Sequence, residues 1–412
     1  MKRLLEFFLG ILTAMGGFVE IGELTFNLNS GSKFQYHLLW VAVLGTVGIM
    51  VFGEMAGRVA AVKHQGVFGL IRERVGMRAG LLTLIAANLV SLLTCAAEIG
   101  AIAMLWRMLG GWPYRLLILI ALAFFLVVVW VLQFKWIERV FGLGGMLMIV
   151  FMVLAWRLHP DWSAVAAGLV PQLPHFSSAH ETTVYAYYAV ALLSSIMLPY
   201  EAYFYAAGAI EDNWKPKDVA INRMIVLLGF SLGALLGMAF VVIGNEAFGK
   251  AGIEAVLPGT ALIPVAARMG PLAVLLAMLG MFFAFSGAAI ETALSAAYNQ
   301  AQFFGWPWGK FRKPRKAARF VASWVLVFVL AAGIVLTGID PIAVVEYSIV
   351  LSVVILPLTY FPMLLVAGDK SVMGKHVNGR FSSSLGWAFL LLLSLAAIAA
   401  IPLLIATHGG AG

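Results

Sequence analysis

Apolar runs long enough to cross a bilayer recur along almost the whole sequence. They lie at roughly 4–29, 37–60, 80–106, 114–133, 137–156, 183–210, 221–245, 270–300, 317–337, 341–367 and 384–406. About 20 helical residues cross the hydrocarbon core, and a helix satisfies its own backbone there. Of the 412 residues, 62% are hydrophobic and 11% charged, against about 25% charged in a soluble domain. So little charge could not cover a water-facing surface. The sequence predicts an all-α integral membrane protein with about eleven transmembrane helices. Pro113, Trp162-Ser163, Pro216, Pro258-Gly259, Pro307 and Pro314 fall in the connections, where helix breakers belong.

The net charge of +8 does not point to nucleic acid, because the basic residues sit in short loops rather than in a domain of their own. With the N-terminus in the cytoplasm, 21 of the 27 lysines and arginines fall on cytoplasmic sites. That is a positive-inside pattern, and eleven spans then put the C-terminus outside. Met1-Lys2-Arg3 followed by Leu4 to Met15 has the look of a signal peptide, but no small-x-small cleavage site follows. It reads as an uncleaved first helix. The single cysteine, Cys95, excludes an intrachain disulfide and a thiolate metal cluster.

The longest connection, about 157–182, follows the fifth span and suggests two five-helix halves, each opening on an interrupted helix. Span 1 holds Gly16-Gly17 and then Glu20-Ile21-Gly22-Glu23; span 6 holds Leu198-Pro199-Tyr200-Glu201. Breaks at matching positions of two halves point to a transporter site.

Glu20 and Glu23 are three residues apart and share a helix face. A carboxylate near the bilayer centre costs roughly 2.5–3.5 kcal/mol even on the lenient scale. Such a cluster needs a cation, protons or a buried base, and spans 1 and 2 offer no basic residue at that depth; Lys33 lies near the outer end. Oxygen-only ligands suit a hard ion such as Mg²⁺, Mn²⁺ or Ca²⁺, and carbonyls freed at the breaks add to them. Glu98, deep in span 3, reads as a proton relay or support for the site. Glu291 in span 8 and Glu346 in span 10 admit either a functional or a structural reading. Glu54 and Arg58 read as a structural i,i+4 pair, Met197 as core filler, and His159, His175 and His180 as solvated loop residues. A Walker-type phosphate loop is missing from the sequence, which argues against ATP-driven transport by this chain alone.

These residues resemble the Nramp family of divalent metal transporters. Gly17-Phe18-Val19-Glu20-Ile21-Gly22-Glu23, running on to Tyr36-His37-Leu38-Leu39-Trp40, is similar to the family's Gly-Tyr-x-Asp-Pro-Gly-Asn segment and its Tyr-x-Leu-Leu-Trp. Thr94-Cys95-Ala96-Ala97-Glu98 resembles Thr-Asp-x-Ala-Glu, and Leu198-Pro199-Tyr200-Glu201 takes the place of Met-Pro-His-Asn. Asp369-Lys370-Ser371-Val372-Met373-Gly374-Lys375-His376-Val377-Asn378 resembles Asp-Lys-x-x-Met-Gly-x-x-Val-Asn. The resemblance implies a LeuT-type fold of two inverted five-helix repeats with broken helices 1 and 6. Residues 1–156 would form the first repeat, 157–182 an external connection, 183–367 the second repeat, and 368–412 a cytoplasmic loop with an eleventh helix. It also implies Glu20, Glu23, Glu201 and the carbonyl of Ser195 as metal ligands. Glu98, Tyr200, Tyr205 and Glu291 would be proton-carrying or supporting residues.

The departures share a direction. The family's Met ligand is Leu198, its two histidines are Tyr200 and Tyr205, its span 3 Asp is Cys95, and its span 10 Gln is lost near Ile355. Loss of sulfur favours hard ions, as in the Nramp-related magnesium transporters. Loss of histidine removes the groups that titrate near neutral pH and argues against proton symport, although Glu98 retains a buried carboxyl able to carry a proton. The expected function is secondary transport of a divalent cation, Mg²⁺ or Mn²⁺ foremost, by alternating access. An organic cation or amine transporter, its pocket lined by Tyr200, Tyr203, Phe204 and Tyr205, and a non-transporting metal sensor are the alternatives. The metal would be substrate, with no permanent cofactor. The expected partners are the lipid bilayer and the ion, the protein acting as a monomer, multi-pass, in a plasma membrane such as the bacterial inner membrane.

Overall fold

The computed structural model describes residues 20–410 apart from 173, 175, 177, 254–256 and 311, and excludes the side chains of 134, 135 and 138. The described residues form no strands. Their helices are α1 Ile21–Phe34, α2 Leu39–Lys63, α3 Val67–Val75, α4 Met77–Gly110, α5 Tyr114–Val131, α6 Phe134–Gly145, α7 Ile149–Arg157, α8 Trp162–Gly168 and α9 Ala179–Ile196. They continue as α10 Pro199–Glu211, α11 Val219–Ile243, α12 Leu262–Met269, α13 Pro271–Phe304, α14 Ala318–Leu336, α15 Pro341–Gly368, α16 Lys370–Met373 and α17 Arg380–Thr407.

Among the described residues, ten helical stretches are long and apolar enough to cross a membrane. Of the expected first span only its last part, in α1, is described, so the count of eleven lies partly, and the reading of Met1 to Met15 wholly, outside these residues. The fifth span, expected as one helix, is α6 and α7 joined by a 3₁₀ turn at Met146–Met148. There Gly144 and Gly280 leave room for close approach: a Cβ on Gly144 would lie 2.1 Å from Phe283, and one on Gly280 2.7 Å from the Met148 nitrogen. In the connection after it Trp162-Ser163, expected to break helix, instead open the short helix α8. Asp161 caps the short helix α8, accepting from Ser163 N at 2.9 Å.

The break between α9 and α10 follows from Pro199. A proline disfavours helical backbone at the residue before it and is well placed at the first turn of the next helix. Leu198 accordingly has φ −56° and ψ 130°, and α10 starts at Pro199. Ahead of α1, Glu20 is extended, φ −100° and ψ 169°, and caps that helix.

The basic connections meet at one end of the bundle. Arg58 is 2% exposed and binds Glu54 Oε2 at 2.9 Å, His376 O at 2.5 Å and Asn378 Oδ1 at 2.6 Å. Arg223 reaches the same Glu54 at 3.2 Å. Asp369 accepts from Ser371 N at 2.9 Å and pairs with Arg74 at 3.1 Å. The Asp369–Asn378 stretch thus clasps α2 to α15. The expected Glu54–Arg58 pair is present, inside a larger network.

At the opposite end α1 lies against α11 with almost no side chain between them. A Cβ on Gly31 would fall 2.0 Å from Val241 O, and one on Gly244 would fall 2.1 Å from Leu28 O. Beside this seam Tyr36 OH donates to Glu246 at 2.7 Å, and Lys33 Nζ donates to Gly410 O at 3.0 Å.

Candidate metal site at the two helix breaks

α1 and α10 each begin with carboxyl groups at their first turn. Glu20 caps α1, Glu23 lies in its first turn, and Glu201 lies in the first turn of α10. Helix N-termini carry a partial positive charge that stabilises anions by about 0.3–1 kcal/mol, up to about 2 in partly buried geometries. That places carboxyl groups at the two points of the membrane interior where backbone N–H groups favour them. Glu98 comes in from α4 and Glu291 from α13. None of these five side chains is more than 9% exposed.

The start of α1 is held by two of them. Glu98 Oε1 accepts from Ile21 N at 2.9 Å, and Glu20 Oε1 accepts from Glu23 N at 2.9 Å. The carboxyl groups of Glu20 and Glu98 also lie within electrostatic range of each other. Glu201 lies within electrostatic range of Glu23, Glu291 and Glu20. Tyr200 is in range of Glu201, Glu20, Glu291 and Glu98, and its carbonyl accepts from Ser295 Oγ at 3.1 Å. Glu20, Glu23, Glu98, Tyr200, Glu201 and Glu291 are therefore brought into one buried region.

The carboxyl groups are not drawn onto one point. Among the described residues no three His, Cys, Asp or Glu side chains are placed to hold a metal ion between them. Glu20 is turned onto Glu98 and the start of α1. Glu23 is turned the other way, toward α11, where a Cβ on Gly237 would lie 2.6 Å from its Oε1. Both Glu23 oxygens, Glu98 Oε2 and Glu201 Oε2 are buried without a hydrogen-bond partner among the described residues.

Ser195 sits in the last turn of α9, where carbonyls lose their helical partners. Its Oγ donates to Leu192 O at 3.0 Å. Around it Ser194 O accepts from Met197 N at 3.2 Å and Met197 O from Tyr360 OH at 3.3 Å. The Met197 sulfur is turned onto α2: a Cβ on Gly48 would lie 2.6 Å from it. That agrees with its reading as core.

Tyr205 is not part of the acidic region. Its hydroxyl donates to Asn222 Oδ1 at 2.8 Å, and Asn222 Nδ2 donates to Glu54 O at 2.9 Å. Tyr203 meets Thr359 at 2.5 Å and stacks edge-on to Phe68, while Phe204 faces Tyr298. Each of these rings thus has a neighbour of its own outside the acidic cluster. Sequence reasoning missed Asn27 and Ser295. Asn27 stands four residues after Glu23, on the same helix face, and that spacing was a usable signal; the Ser295 contact with Tyr200 had none.

Long apolar helices, with α1 and α10 each beginning on buried carboxyl groups, define a multi-pass membrane protein of the LeuT-type transporter fold. The sequence matches the natural resistance-associated macrophage protein-like (Nramp) family over residues 10–402, and the chain belongs to that family. The divalent metal cation transporter MntH of Deinococcus radiodurans is 27% identical over 409 residues, covering 95% of this chain and 88% of that protein. The protein of the same name from Ralstonia nicotianae is 25% identical over 420 residues, with 96% and 90% covered. The manganese transporter of Eremococcus coleocola, bound to an aromatic bis-isothiourea substituted compound, superposes with a TM-score of 0.75 at 20% identity, over 95% of this chain and 85% of that one. MhsT in complex with L-phenylalanine gives 0.63 at 17% identity, over 97% and 98%. These last two likenesses concern the fold.

Proposed function

We propose that this chain carries a divalent metal cation across the membrane by alternating access, with Mn²⁺ and Mg²⁺ the leading ions. The observation that carries the reading is the buried carboxyl group at the start of each of two helices, Glu20 at α1 and Glu201 at α10. Glu20, Glu23 and Glu201 bind the ion, with the Ser195 carbonyl from the end of α9. The donors are all oxygen, and Leu198 offers no sulfur, which suits a hard ion. The names of the MntH relatives support a divalent metal, and that of the Eremococcus coleocola transporter supports manganese.

Glu98 fixes the start of α1 and is the residue able to hold a proton beside the ion; Tyr200 and Glu291 flank the site. The chain acts as a monomer with its N-terminus in the cytoplasm and its C-terminus outside, in the bacterial inner membrane. The membrane potential then favours uptake by about 2.3 kcal/mol per charge per 100 mV.

The test is uptake of Mn²⁺, Mg²⁺ and Ca²⁺ into proteoliposomes, with Glu20→Gln and Glu201→Gln beside the parent. Saturable flux of at least one ion, lost in both variants, is expected. An absence of flux for all three ions overturns the function, and flux indifferent to both substitutions overturns the site. A pH dye inside the vesicles reads proton coupling directly.

A further inference from the structure

The connection between α13 and α14 carries Lys310, Arg312, Lys313, Arg315, Lys316 and Arg319, and the sequence holds no acidic residue between Glu291 and Asp340. It lies at the basic end of the bundle, where Arg72 donates to Phe303 O in the last turn of α13 at 2.6 Å. Its inner side is pinned. Glu211, at the end of α10, accepts from Lys310 N at 2.7 Å and from Tyr298 OH at 3.1 Å. Lys310 Nζ donates to Val129 O and lies 5.7 Å from the centre of the Trp324 ring. The outer side is open. Arg312, Lys313, Arg315, Lys316 and Arg319 are exposed, and the first four side chains make no hydrogen bond or ion pair among the described residues. At the same end Arg58 and Arg223 pair with Glu54, Lys63 with Glu73 and Arg74 with Asp369. Beside the free charges Trp306 stacks on Phe304 at 5.0 Å, and the Arg319 guanidinium lies 5.4 Å from the Trp306 ring centre. Phe304 is 45% exposed.

We infer that this connection is a docking surface for the headgroups of anionic phospholipids. The inference goes beyond the proposed function and does not depend on it. The connection joins two spans, one ending at Phe304 and the next beginning at Ala318, and its 3₁₀ turn at Pro314–Lys316 stands just ahead of the second. The free charges are thereby held at the edge of the hydrocarbon, at the level of lipid phosphates. Each Lys or Arg near an anionic membrane surface strengthens attraction to it about fivefold. The guanidinium forks of Arg312, Arg315 and Arg319 match a phosphate with two parallel hydrogen bonds. Tryptophan favours the interface between lipid and water. Phe304 and Trp306 beside the charges suit a partner that is anionic above and apolar below, which a nucleic acid or an acidic protein in water does not offer.

The test uses the delipidated full-length chain in detergent, titrated with phosphatidylglycerol or phosphatidylcholine, with bound lipid counted by native mass spectrometry. The parent is expected to bind phosphatidylglycerol more tightly than phosphatidylcholine. Lys313→Gln together with Lys316→Gln is expected to weaken phosphatidylglycerol about tenfold, two surface charges being lost. Lys313→Arg together with Lys316→Arg keeps the charge and is expected to stay within about twofold of the parent. Lys215→Gln together with Lys217→Gln removes the same charge from another exposed connection and is likewise expected to stay within about twofold. Equal losses in the two glutamine pairs, or a parent without preference for phosphatidylglycerol, overturn the surface. Displacement of phosphatidylglycerol by an equal concentration of inorganic phosphate overturns the lipid as its occupant. No transport is read, so each of these outcomes leaves the proposed function as it stands.

Discussion

Glu98, on α4, caps a helix to which it does not belong: its Oε1 accepts from Ile21 N, the first residue of α1, at 2.9 Å. The first N–H groups of a helix have no partner within it, and in the membrane interior water does not supply one. Glu98→Ala is therefore expected to lower stability by about 1–3 kcal/mol, the cost of stranding a buried donor. Glu98→Gln keeps an acceptor and is expected to lose much less. Thermal unfolding of the two variants in detergent checks this, and equal losses would remove the capping role.

Leu198 stands where the family places a sulfur ligand, at the turn just before Pro199. Leu→Met nearly conserves volume and costs less than about 1.5 kcal/mol. It adds a soft donor to the proposed site, and softer ions prefer sulfur. Leu198→Met is expected to let Cd²⁺ inhibit Mn²⁺ uptake at lower concentration than in the parent. Unchanged inhibition would place residue 198 away from the ion.

Glu54 holds both Arg58 and Arg223 at the basic end. Arg58 is buried, so removing its carboxylate strands a charge, which costs about 3–5 kcal/mol. Glu54→Leu is expected to show this as a large fall in melting temperature. Asn378→Ala removes one hydrogen bond to the same guanidinium and is expected to cost about 1–3 kcal/mol. The order of the two losses is the check.

Gly31 presses on a backbone carbonyl that cannot move aside as a flexible side chain would. Gly31→Val is expected to hold α1 off α11 and to destabilise the closed seam by about 1–3 kcal/mol, as overpacking does. Hydrogen exchange of the amides in 21–34 should speed up, while exchange at the basic end, around 369–378, stays as in the parent.

Much of the fold could be read from single stretches. Pro341–Gly368 and Tyr114–Val131 lie within two residues of the expected spans, because length and apolarity are local properties. The break at Leu198 was equally plain, since proline acts on its immediate neighbour. The buried carboxyl groups stood out because lipid makes them costly wherever they face. Their orientation was not legible. Glu23 turns toward α11 because position 237 is a glycine more than 200 residues along the chain. Met197 turns to Gly48 on another helix, and Tyr205 turns to Asn222, 17 residues along the chain. A helix face can be read from spacing, but what stands opposite it cannot.

At Gly31 and Gly244 the seam between α1 and α11 is closed by backbone, which cannot rotate aside as a side chain can. It can be undone only by displacing the whole of α1. Glu20 and Glu23 travel with that helix, one as its cap and one in its first turn. In the proposed cycle, opening the door and dismantling the lock are a single movement, so the ion loses its grip on the protein at the moment it gains a way out.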